Sequence, residues 1–120
     1  MIFLEPEESL RAILAASSSN VHAKISLMDY TSSPFDIVSS PIVDISNSYV
    51  TLVEARDNAQ MINSICVVNR DSVSHTLSLE YMRSGGVSFP FNNITLSPGY
   101  ALHYENQNGW SVLNAYGAKQ

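Results

Sequence analysis

The chain has 120 residues, 45% hydrophobic and only 14% charged, with a formal net charge of −5 and a single cysteine. That length holds one domain of common size, and the apolar fraction is that of a globular protein. One cysteine excludes an internal disulfide, and six scattered basic residues (Arg11, Lys24, Arg56, Arg70, Arg83, Lys119) offer no cluster for a phosphate backbone, so no nucleic-acid partner is expected.

The N-terminal run Met1 to Glu8 holds three glutamates and no cationic region, so it is not read as a signal peptide. Ile2, Phe3 and Leu4 are too apolar to stay in water, and either tuck onto the domain or dock on a neighbour. Residues 1–9 are read as an N-terminal arm before a domain spanning 10–120. Pro6 with Glu7 and Glu8 forms a helix start. Leu10, Ile13 and Leu14 fit helical spacing, while Leu10, Ala12 and Leu14 fit a strand. Local propensity favours a short helix here; the β character of the rest pulls the other way.

Ser17 to Asn20 is a turn. Val21, Ala23, Ile25 and Leu27 then alternate with His22, Lys24 and Ser26, the pattern of a half-buried strand. Pro41 interrupts the segment from Phe35 to Ile45, which predicts an edge or a long loop. Tyr49 to Glu54 is rich in β-branched and aromatic residues. Met61 to Val68 is the most apolar stretch and is expected to be a central strand. It contains Cys66, read as a small buried hydrophobe. Asn69 to Ser72 is a turn, and His75 to Met82 alternates again. Val87, Phe89 and Phe91 alternate around Pro90, a second edge signal. Pro98-Gly99 turns the chain into Tyr100 to Glu105, and Asn106 to Gly109 closes a hairpin onto Trp110 to Leu113, the strongest hairpin signal present.

Strands recurring about every ten residues, with turn signals between them, predict an all-β fold. The expectation is a single-domain antiparallel β-sandwich, jelly-roll or Ig-like, with a short N-terminal arm or helix. No apolar run approaches the roughly 18 residues of a membrane span.

Chemistry is sparse. His22, His75 and His103 lie on different strands without ligand spacing, and are read as structural or solvated, not as a metal site. Ser, His and Asp are present, but no Gly-x-Ser-x-Gly elbow exists. No enzyme activity and no cofactor are expected. Tyr81, Tyr100, Tyr104, Trp110 and Tyr116 suggest a sugar platform. The place of Tyr100, Tyr104 and Trp110 on the apolar side of the hairpin favours core or subunit interface instead.

The ordered set Ser64 to Asp71, His75 to Tyr81, Ile94-Thr95-Leu96-Ser97-Pro98-Gly99, Leu102-His103-Tyr104 and Gly109-Trp110-Ser111-Val112 resembles a group of small tailed-bacteriophage virion proteins. Their shared pattern is a strand, an Asn-x-Asp turn, a strand, Leu-x-Pro-Gly, a strand ending in Tyr, and Gly-Trp. The resemblance covers the C-terminal half best. It implies a non-enzymatic structural protein of the virion, made in the host cytoplasm. The leading expectation is a capsid decoration or cement protein that binds the major capsid protein as a homo-oligomer, a trimer being the guess. The alternatives are a neck, baseplate or fibre-attachment component, and a carbohydrate-binding module using Trp110 and nearby tyrosines. Ile2, Phe3, Leu4, Phe35, Tyr100, Tyr104 and Trp110 are the expected interface residues.

Overall fold

Alternating sequence becomes alternating burial. The computed structural model describes residues 2–29, 36–39, 41–83 and 85–120, with every side chain among them except those of residues 29, 36–39 and 89. Eleven strands are described: β1 (Ile2–Leu4), β2 (Ser9–Leu14), β3 (Val21–Asp29), β4 (Asp36–Ser39), β5 (Val43–Asp44), β6 (Val50–Val53), β7 (Gln60–Asn69), β8 (His75–Arg83), β9 (Gly86–Leu96), β10 (Ala101–Glu105) and β11 (Gly109–Leu113). One sheet runs β11-β10-β7-β3-β4, with β1 also on β7 and β5 also on β3; the other runs β6-β2-β8-β9. Neighbours in both sheets are antiparallel. The two sheets pack face to face as an all-β sandwich.

The core is what the inward phase of each strand supplies. Leu10, Ala12 and Leu14 of β2 and Leu77 and Leu79 of β8 face Val21, Ala23 and Ile25 of β3 and Ile65 and Val67 of β7, all at most 2% exposed. As its apolar run predicts, β7 is central, flanked by β3 on one edge and by β10 and β1 on the other. Its pairing with β3 slips between Ser26 and Leu27, where Asn63 has no partner. This bulge lets both Ile62 and Ile65 face the core. Pro41 falls between β4 and β5 at a sheet edge, and Pro90 lies in β9, the edge of the second sheet.

Two local expectations are corrected. Residues 9–14 form a strand and not a helix. Pairing with β6 and β8 buries Leu10, Ala12 and Leu14 completely or nearly so, outweighing helix preferences of a few tenths of a kcal/mol per residue. The start of the segment read as an arm is built into the sandwich. β1 pairs with β7 through Ile2↔Ile62, Phe3↔Met61 and Leu4↔Gln60. Ile2 and Leu4 join the core, while Phe3 is exposed on the other face.

Candidate functional site

Three places gather polar groups. The first is a node at Asn69, the fully buried last residue of β7. Its amide donates to the Tyr100 carbonyl at 3.0 Å, and its carbonyl accepts from the Gly99 amide at 2.7 Å. Its side-chain Nδ2 donates to the carbonyls of Val73 and Leu96, both at 2.9 Å, and its Oδ1 accepts from the Asp71 amide. One asparagine therefore ties the Asn-x-Asp turn to the Leu-x-Pro-Gly turn some 30 residues later. An amide side chain suits this place because it donates twice and accepts once in a single plane.

The second is Ser18–Asp71–His75. Asp71 Oδ2 accepts from Ser18 Oγ at 3.0 Å and meets His75 Nε2 at 2.8 Å. These bonds, with the Ser72 amide, hold the Asp71 carboxyl below its ordinary value of 3.8. The carboxylate stands between serine and histidine, so the imidazole does not face the hydroxyl as a nucleophile's base does. The arrangement ties the turn between β2 and β3 to the crossover between β7 and β8. His75 is 5% exposed, a structural histidine held at this crossover.

The third is concave. On the outer face of the larger sheet, His22, Ala23, Lys24, Ile42, Asp44, Cys66, Val68 and Arg70 line a hollow of about 410 Å³, within the size range of ligand pockets. Register builds it: Lys24 lies opposite Cys66, and His22 lies opposite both Val68 and Asp44. His22 Nδ1 and Asp44 Oδ1 are 2.6 Å apart. Cys66 is half-buried in this hollow and outside the core, which corrects its reading as a core hydrophobe. Strand phase is the reason: Ile65 and Val67 point in, so Cys66 points out. His103 of β10 lies directly across from Cys66. Burial pushes the thiol up from 9.0, the opposite of the depressed pKa of an activated cysteine. Among the described residues, no group of three or more His, Cys, Asp and Glu is placed to hold a metal ion.

The expected interface residues scatter. Ile2, Leu4 and Tyr104 are core residues at 7%, 0% and 1% exposure, and so are not available to a partner in this fold. Tyr100 and Trp110 are partly buried against that core. Trp110 meets Phe91 edge-on at 4.7 Å and Tyr104 at 5.0 Å, closing one end of the sandwich between the two sheets. Phe3 is exposed, and Phe35 lies outside the described residues. Tyr116, grouped in the sequence with the aromatics of a possible sugar platform, is 96% exposed. It sits on a tight turn where Asn114 Oδ1 accepts from the amides of Tyr116 and Ala118, and Gln120 donates back to Val112. A side-chain acceptor two and four residues before its donors is the available signal.

Comparison with known proteins returned no match: no family profile fits the chain, and no curated protein or solved structure is significantly similar to it.

Proposed function

We propose that this protein is a non-enzymatic structural component of a tailed-phage virion, a head decoration protein in the leading form, acting as a homo-oligomer on the major capsid protein. The observation that carries the reading is the Asn69 node. The motifs behind the resemblance are individually short and lie far apart in sequence. Asn69, Leu96, Gly99 and Tyr100 meet in one hydrogen-bonded knot, with Tyr104 and Trp110 packed on the strands that leave it. A pattern whose parts hold one another is a framework pattern, and it supports reading the ordered set as a unit.

Surface character supports the same role. Charged residues are few, and Phe3, Ile42, Tyr49, Val73, Val87 and Tyr116 are exposed. Interfaces favour aromatic residues over charges. Tyr116, held out on a braced turn, is the proposed contact. Particles purified from the phage that encodes the chain, analysed by quantitative mass spectrometry, test the role. The chain is expected in stoichiometric amount with the capsid protein. A few copies per particle place it at the neck, baseplate or fibre instead, and absence from particles overturns the reading.

A further inference from the structure

The hollow on the outer face of the larger sheet holds two of the chain's six basic residues, Lys24 and Arg70. Of the six basic residues, Arg11 pairs with Glu80 and Arg83 with Glu8. Lys24 and Arg70 have no ion-pair partner among the described residues, and both line this one hollow in a chain of net charge −5.

Their spacing is fixed by register. Lys24 stands opposite Cys66, and Arg70, one residue past the end of β7, follows Cys66 by four residues. The Arg70 amide still donates to the Asn20 carbonyl at 2.8 Å, so the pairing of β7 with β3 continues through this row. Four residues of extended chain put the two cations about 13 Å apart at the backbone. Between them lies the middle row, where Val68 faces His22; Ile42, 68% exposed, lines the same hollow. Asp44, the acidic group of the lining, is engaged by His22 in that middle row.

We propose that this hollow binds an extended acidic segment of a partner protein in the pattern acid-x-apolar-x-acid. In an extended chain, residues two apart share a face. Acids four apart then reach Lys24 and Arg70 together, and the side chain between them enters the apolar hollow over Val68 and Ile42. The apolar residue, and not an acid, faces Asp44. An aromatic residue fits the middle position best, since such anchors fill interface pockets. The surface goes beyond the virion reading and stands independently of it, because its test needs only the purified chain.

Cys66 is the chain's only cysteine and lies in the hollow, so its alkylation rate reports occupancy. The probe is a blocked peptide with Glu-Ser-Phe-Ser-Glu at its centre, added to the full chain with an uncharged maleimide. The peptide is expected to slow alkylation saturably. The paired change Lys24→Glu with Arg70→Glu is expected to weaken that protection by about tenfold or more, two exposed attractions having become repulsions. Both positions are exposed, so the variant's circular dichroism and melting midpoint should match the parent. A peptide with both Glu changed to Gln should protect as poorly. Equal protection by the Gln peptide, protection undiminished in the variant, equal protection by hexanoate at the same concentration, or no protection at all would each overturn the proposal.

Discussion

Gly99 donates its amide to the Asn69 carbonyl at 2.7 Å while holding φ at +80°, with a Cβ built on it falling 2.9 Å from the Ala115 Cβ. Two separate requirements therefore fix glycine here: a left-handed backbone and a close neighbour. Gly99→Ala is expected to destabilise the fold by about 2–4 kcal/mol, from left-handed strain and overpacking together. Ala115→Gly in the same chain should recover the packing part and leave the backbone part. Urea unfolding of the single and double variants checks this. A double variant as unstable as Gly99→Ala shows that Ala115 is not the neighbour that matters.

Asn69→Ala removes three hydrogen bonds at a fully buried position and strands the carbonyls of Val73 and Leu96. A loss of about 2–4 kcal/mol is expected. Asn69→Asp keeps the size but turns a carboxylate onto those two carbonyls, and should be at least as damaging at neutral pH. Equilibrium denaturation compares them.

Deleting residues 1–8 removes β1 and the partner of Arg83. Burying Ile2 and Leu4 contributes about 1.5–3 kcal/mol each, and Arg83 loses its Glu8 ion pair at 3.0 Å. The truncated chain should therefore lose about 3 kcal/mol or more, and Leu4→Ala alone about 2–5 kcal/mol. Thermal melting by circular dichroism reads both. An unchanged midpoint after the deletion would show that the segment is an appendage after all.

Burial pushes the Tyr81 hydroxyl up to about 12, against an opposing pull from the Arg83 guanidinium, which lies 4.4 Å above its ring. The folded value lies above the unfolded one of 10.0. The contribution is therefore complete below pH 10 and is lost as pH rises toward 12. Discounted for solvent screening, about 1–2 kcal/mol is at stake. Tyr81→Phe should flatten the alkaline fall in stability over that window, which denaturant titrations at stepped pH can follow.

The sandwich was legible because one face of each strand is buried, so period two survives in Val21 to Leu27 and in His75 to Tyr81. The 9–14 segment was not legible. Leu10, Arg11, Ala12, Ile13 and Leu14 satisfy both periods, and only pairing with β6 and β8 decides between them. The hollow was half legible. Alternation puts His22 and Lys24 on one face, and the phase of β7 does the same for Cys66, Val68 and Arg70. That the two faces are one surface depends on the β3–β7 register, which a single sequence does not state. Ile2 and Leu4 were read as apolar and in need of cover. That the cover is β7 of the same chain is a long-range fact.

The virion reading stands most directly on where the chain sits in an intact particle and on what holds it there. Tyr116 is almost fully exposed, so Tyr116→Ala should leave the melting midpoint unchanged while lowering occupancy on particles. The decisive measurement is a cryo-electron microscopy reconstruction of virions carrying the parent chain, with the Tyr116→Ala particles beside it. The account predicts sandwich-shaped density repeated across the head lattice with the turn at residues 114–118 against the capsid protein, and weakened density in the variant. Particles complete in head and tail with no density for this sandwich anywhere would contradict it.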